Sequence, residues 1–255
     1  MAADIPPGAQ GAKEALEKSP RHGEWVEIAL PNSDKPMRAF VAYPERKDKA
    51  PVVIVIMEIF GLTDWIRSVA DQLAAEGFIA IAPDLIAGKA PGGGGSEVLK
   101  SQDDARPLVM ALKPDEVTQR LDATMQYGKS LPSSNGKTAT VGFCWGGGTS
   151  FMYATRQPEV SAAVVYYGVS PKAQDLAKIK APVLGNYGEK DERVDATIEP
   201  ARKEMEKLGK SYVAHIYAGA GHGFLRQQDG QNGANLKAAE KAWPATVEFL
   251  KENTK

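Results

Sequence analysis

Two stretches near the start of the chain, residues 24–30 and 36–43, alternate polar and apolar side chains with a period of two. That is the pattern of half-buried strands, and it predicts a pair opening a sheet. Residues 51–57, Pro-Val-Val-Ile-Val-Ile-Met, are instead continuously apolar and rich in β-branched side chains, as a parallel strand covered on both faces requires. Asp64 then begins a segment in which Trp65, Val69, Leu73 and Ala74 share one helical face. Residues 78–82 predict a further buried strand. Helical patterns recur near residues 97–112, 114–131, 146–156, 196–208 and 235–252, and Pro244 is expected to kink or break the last of these. From residue 51 onward strand and helix alternate, which predicts an α/β architecture with a mostly parallel sheet in one domain over residues 24–255. The first 23 residues are polar and rich in Pro, Gly and Lys. Residues 12–18 suit a turn or two of helix, yet without an evident core-facing stripe, so residues 1–23 are expected to form a polar N-terminal extension.

Composition narrows the possible partners. A chain of 255 residues is long enough for one large α/β domain with a substantial core. Its formal net charge of −1 gives it no general attraction for nucleic acid or a membrane surface. No apolar run approaches the roughly 20 residues that span a bilayer. The expectation is therefore a soluble protein, cytoplasmic, or alternatively periplasmic or secreted if Met1-Ala2-Ala3-Asp4 begins a mature form with an added initiator. A monomer or weak homodimer is expected. The single cysteine, Cys144, excludes an intrachain disulfide and a zinc–thiolate cluster. Gly92 to Gly95 form a loop and not a phosphate cradle, since no Gly-Lys-Ser/Thr follows.

Cys144 is also where the chemistry concentrates. It sits in Gly142-Phe143-Cys144-Trp145-Gly146-Gly147, after an apolar strand-like run and before a helix-like segment. This is the context of a nucleophile elbow, with Cys where many hydrolases place Ser. Such a turn strains the nucleophile's backbone and needs small neighbours, a requirement that Gly142 and Gly146 meet. The helix start that follows favours a thiolate and supplies N–H groups for an oxyanion. A free thiol, with a pKa of about 8.5, is only slightly ionised at neutral pH and needs a base.

Of the three histidines, His22 lies in the polar start and His215 in an alternating strand, Tyr212 to Tyr217. His222 occupies a glycine-rich loop directly after that strand, where a catalytic imidazole belongs. Asp191 follows the strand-like run that ends at Gly188 and is the natural orienting carboxylate, with Glu189 and Glu192 as alternatives in the same acidic cluster. Cys144, Asp191 and His222 then run in the nucleophile–acid–base order of α/β-hydrolases.

These residues, with Met57-Glu58-Ile59-Phe60-Gly61, Ala82-Pro83-Asp84-Leu85, Ser134-Asn135-Gly136-Lys137, Tyr166-Tyr167-Gly168 and Gly221-His222-Gly223-Phe224, give the chain a specific resemblance. It resembles the dienelactone hydrolase (carboxymethylenebutenolidase-like) family over nearly its whole length. The resemblance implies the α/β-hydrolase fold, a mostly parallel central sheet with helices on both faces. It implies hydrolysis of a small lactone or ester by a Cys144–His222–Asp191 triad through a thioester, with no cofactor and no metal. It also implies an active-site role for Glu58 and an oxyanion hole from the N–H groups of Ile59 and Trp145. On that reading Glu58 lies beside the resting thiol and disfavours its ionisation, and bound substrate frees Glu58 to act as the activating base.

Substrate recognition departs from the family pattern. Arg226 matches an arginine that binds the substrate carboxylate, but Gly88 stands where a second is expected after Asp84-Leu85. Lys89 and Arg193 are the candidates to compensate, and Trp145 is expected to wall the pocket. The alternatives are a general carboxylesterase for neutral esters and a non-catalytic, redox-sensing protein of the same fold.

Overall fold

The structure, a computed structural model, describes residues 4–31 and 33–255. Eight strands form one sheet: β1 (Gly23–Leu30), β2 (Ser33–Ala42), β3 (Ala50–Ile56), β4 (Ile79–Pro83), β5 (Ser134–Phe143), β6 (Ala162–Tyr166), β7 (Val183–Gly188) and β8 (Tyr212–Tyr217). Their order across the sheet is β1-β2-β4-β3-β5-β6-β7-β8. β1 pairs with β2 and β2 with β4 in antiparallel fashion, and every pairing from β4 through β3 to β8 is parallel.

Burial explains this layout. Consecutive residues of a strand point to opposite faces, and every residue of β4, β6 and β7 is buried. Both faces of the central sheet are therefore covered. The edge strands β1 and β8 are only partly buried, which matches their mixed sequences. His215, on β8, is exposed, and His22 is peripheral, stacked on Tyr43 with ring centroids 5.5 Å apart.

The covering helices are α1 (Ala12–Lys18), α2 (Asp64–Ala75), α3 (Ala105–Met110), α4 (Pro114–Ser130), α5 (Trp145–Ala154), α6 (Ala173–Leu176), α7 (Glu192–Lys207) and α8 (Ala234–Asn253). α2 shows why the pattern was readable. Thr63 caps it by accepting the Ile66 N–H, and Trp65, Val69, Leu73 and Ala74 are all buried.

Three segments differ from the sequence expectation. The helix expected over residues 97–112 is instead two 3₁₀ turns followed by the short α3. The Ser96 N–H and hydroxyl both donate to the Asp84 carboxylate, at 2.6 and 2.8 Å, and the Ser96 hydroxyl accepts from Leu62 N–H. These tertiary bonds outweigh local helix propensity. Pro244 does not break α8, which runs through it. The intrahelical bond it forgoes would have gone to the carbonyl of Glu240, an exposed residue where water can replace it.

The N-terminal segment is the third difference, because it does have a core-facing side. Ala12 is fully buried, and Ile5, Ala9 and Leu16 pack against the main core. Polar contacts reinforce that docking. Trp65 Nε1 donates to Pro7 O at 3.1 Å, Gln228 Nε2 to Pro6 O at 2.8 Å, and Ala9 N to Arg226 O at 2.9 Å. The Asp71 carboxylate accepts from Ser19 Oγ at 2.6 Å and from both Nε and Nη2 of Arg21. Asp71 is buried, so replacing it with Asn should lower unfolding free energy by about 1–3 kcal/mol. Proteolysis before Gly23 should also accelerate. Chemical denaturation and limited proteolysis check both, and unchanged values would show that the segment is held by apolar contacts alone.

Candidate active site

Parallel strands present all their carboxyl ends at one edge, and the sequence-predicted residues gather there. Glu58 lies just past β3, Cys144 follows β5 directly, Asp191 lies just past β7, and His222 occupies the loop after β8. β3, β5, β6, β7 and β8 are consecutive neighbours in the sheet, so residues far apart in sequence share one rim.

Cys144 adopts φ +56° and ψ −117° as the chain turns from β5 into α5. The turn requires glycine on both sides. A Cβ on Gly142 would lie 1.9 Å from the Gly146 carbonyl oxygen, and one on Gly146 would lie 2.4 Å from the carbonyl oxygens of Ile56 and Met57. The Cys144 N–H donates to Tyr166 O at 3.0 Å, which pins the elbow to the neighbouring strand. Trp145 begins the helix, so its N–H has no intrahelical acceptor. Among the described residues the N–H groups of Trp145 and Ile59 form no other hydrogen bond.

His222 Nδ1 and Asp191 Oδ2 are 2.5 Å apart, and Asp191 is buried. The alternatives are placed elsewhere: Glu189 accepts the Gly219 N–H at 2.8 Å, and Glu192 is exposed at the start of α7. Burial works against a charged His222, but hydrogen bonding to Asp191 and Cys144 and the charges of both outweigh it, pushing the imidazole up to about 9. The largest of the raising effects is the hydrogen bond to Asp191, which favours the imidazolium.

Glu58 has an arginine for a close neighbour: its Oε2 is 2.9 Å from Arg226 Nε. The Nε–H is not aimed at the carboxylate, making this a contact of charges without a formed hydrogen bond. Arg226 is also stacked over Phe60, with its guanidinium carbon 4.9 Å from the ring centroid. Burial pushes Glu58 up to about 7, against the opposing pull of Arg226 and His222.

Two cavities meet this rim. One, of about 550 Å³, holds Cys144, Ile59, Trp145 and Arg193, with Met110, Leu112, Val117, Met152 and Val169 supplying apolar surface and Arg106 a second guanidinium. The other, of about 340 Å³, holds Glu58, Phe60 and Arg226 and is partly walled by Ala9 and Lys13 of the N-terminal segment. Arg106 and Met110 belong to the stretch read as one continuous helix, so no local signal marked them as site residues. Among the described residues no group of three or more His, Cys, Asp and Glu is placed to hold a metal ion. No helix among them is long and apolar enough to cross a membrane.

The sequence model described as "Dienelactone hydrolase family" matches residues 37–254. The chain belongs to the dienelactone hydrolase family. It is a hydrolase of the α/β type. A protein of Salmonella typhimurium (strain LT2) provisionally named carboxymethylenebutenolidase is 31% identical over 234 residues, 87% of this chain and 85% of that one. One of Escherichia coli (strain K12) with the same provisional name is 30% identical over 236 residues, 88% and 85% of the two chains. A crystal structure of a provisionally named dienelactone hydrolase from Klebsiella pneumoniae superposes with a TM-score of 0.78 at 27% identity, covering 91% of this chain and 99% of that one.

Within this dienelactone hydrolase family member, the two candidates to compensate for Gly88 fare differently. Lys89 is paired with Glu116 at 2.8 Å, whereas Arg193 is exposed and lines the cleft that holds Cys144. Gly88 itself has φ +81°, a conformation that disfavours any side chain there.

Glu58 makes folding pH-dependent in a definite direction. A carboxyl raised to about 7 holds its proton more tightly in the folded than in the unfolded protein. Its contribution to stability is therefore complete below about pH 4.5 and is lost as pH rises through 7. The difference in unfolding free energy between wild type and Glu58→Gln should change by roughly 1–3 kcal/mol between pH 4.5 and 8. A difference that stays constant across that range would contradict the buried, proton-holding carboxyl.

Proposed function

We propose that this hydrolase cleaves small carboxylic esters or lactones through a thioester on Cys144. The observation that supports it most strongly is the nucleophile's left-handed backbone at a glycine-flanked elbow, beside a paired imidazole and buried carboxylate.

The acid and base roles follow from the separated proton affinities of His222 and Glu58. His222 enters the cycle protonated and Glu58 is partly ionised near neutrality. Glu58 accepts the thiol proton, leaving a thiolate next to the imidazolium. The thiolate sulfur adds to the acyl carbon, and the carbonyl electron pair moves onto oxygen, which the N–H groups of Ile59 and Trp145 receive. Collapse of this tetrahedral species breaks the bond to the leaving oxygen. That oxygen takes its proton from His222 and departs as an alcohol, or remains tethered when the substrate is a lactone. Neutral His222 then removes a proton from water, whose oxygen attacks the thioester. The thiolate is expelled, the carboxylic acid product loses its proton to solvent, and Glu58 returns the proton it held to the sulfur. Asp191 orients His222 throughout and stabilises the imidazolium.

Arg226 supplies the control. In the free enzyme it holds Glu58, and a substrate carboxylate competing for the guanidinium releases Glu58 towards the thiol. The cleft around Cys144 favours an apolar or aromatic acyl group, with Trp145 on its wall and Arg193 placed to meet an anionic end.

Turnover of mono-4-nitrophenyl glutarate, whose free carboxylate can compete for Arg226, tests the assignment. Cys144→Ala and His222→Ala should each lower kcat/KM by at least a thousandfold without loss of cooperative unfolding. The double variant should match the worse single one, because the two residues act as a unit. Undiminished turnover by folded Cys144→Ala would remove the nucleophile. A folded, inert wild type that nevertheless forms a sulfenic acid on Cys144 would favour the redox-sensing alternative.

A further inference from the structure

Tyr167, in the motif Tyr166-Tyr167-Gly168, has no part in the triad or in the Glu58–Arg226 pair. It follows β6 directly and adopts φ +39°, a left-handed conformation that bulky aromatic residues rarely take. Its N–H donates to Asn186 O at 2.9 Å, while the preceding Tyr166 carbonyl accepts from Cys144. The residue is thus fixed beside the elbow by backbone bonds on both sides. Its side chain is fully buried, and the ring stands edge-on to His222 and Phe224, with centroids 5.2 and 5.4 Å away. The hydroxyl has no hydrogen-bond partner among the described residues.

Left-handed backbone and an unpaired buried hydroxyl both work against folding, and here they coincide beside the nucleophile. Burial, and then the negative charges of Glu58 and Cys144, keep the phenol protonated, against an opposing effect of Arg226. It is therefore a donor and not a base. Other nearby groups are already engaged: Asp191 by His222, and the Tyr166 hydroxyl by Thr246 at 2.7 Å. Among the described residues Glu58 is in contact with Arg226 and is not otherwise paired. Glu58, Cys144 and Tyr167 also lie on adjacent strand ends in that order, β3, β5 and β6.

We propose that Tyr167 is a positioning residue, whose hydroxyl donates the hydrogen bond that receives the Glu58 carboxylate once Arg226 is drawn off. That bond holds the carboxylate within reach of the Cys144 thiol. The inference rests on the role given to Glu58 under the proposed function.

Tyr167→Phe, Glu58→Gln and the double variant separate the two ideas, with mono-4-nitrophenyl glutarate as the carboxylate-bearing ester and kcat followed from pH 5 to 9. Tyr167→Phe should unfold at the wild-type temperature or above, since it deletes only an unpaired hydroxyl. Its kcat should fall at least tenfold. The acid limb of its kcat profile should move to higher pH, because a carboxylate without its donor is protonated more readily. Glu58→Gln should lower kcat as well, and adding Tyr167→Phe to it should change kcat less than twofold. Wild-type kcat and acid limb in Tyr167→Phe would overturn the proposal. So would an undiminished Tyr167→Phe effect in the Glu58→Gln background, or a lowered unfolding temperature with an unmoved acid limb. Wild-type kcat in Glu58→Gln alone would instead overturn the role of Glu58, and Tyr167 would lose its function with it.

Discussion

Backbone passes backbone at the turn after β5 at distances that no side chain tolerates. Gly142 lies against the Gly146 carbonyl, and Gly146 against those of Ile56 and Met57, so the elbow is locked to the end of β3 as well as to its own helix. Cys144 has nowhere to go but into a left-handed conformation that lifts its side chain above the sheet. Everything else at the rim is arranged around that fixed sulfur. Because β3, β5, β6, β7 and β8 are parallel neighbours, loops separated by more than 160 residues deliver Glu58, Tyr167, Asp191 and His222 to one side of it.

Electrostatics divides the rim into two units. On one side a buried carboxylate raises a half-buried imidazole and favours its protonated form. On the other, a buried carboxyl under the opposing pull of Arg226 and His222 is raised towards neutrality. The thiol lies between the two units in the sheet order, and separate cavities hold Cys144 on one side and Glu58 with Arg226 on the other.

The parts legible from sequence are those governed by local rules. Continuous apolar runs marked β3 and β4, helical spacing marked α2, and glycine placement marked the elbow and the loop of His222. Asp191 was already the natural choice for the orienting carboxylate, and the coordinates separate it from Glu189 and Glu192, which lie within the same four residues. Long-range contacts account for the remaining differences. Asp84 captures Ser96 and stops a helix that propensity favours; the N-terminal segment buries Ala12 although its own pattern shows no stripe; Arg226 reaches Glu58 across 168 positions of sequence. Tyr167 was visible as part of a motif, but its unpaired hydroxyl is a property of its surroundings.

The central claim is covalent, and mass spectrometry addresses it directly. Enzyme mixed with mono-4-nitrophenyl 2,2-dimethylglutarate, esterified at its hindered carboxyl to slow deacylation and carrying a free carboxylate for Arg226, is quenched in acid and digested. The account predicts one dimethylglutaryl group per chain, on the peptide that contains Cys144 and removable by neutral hydroxylamine as a thioester. Continued release of 4-nitrophenol with the acyl group on another side chain, or on none, would contradict it.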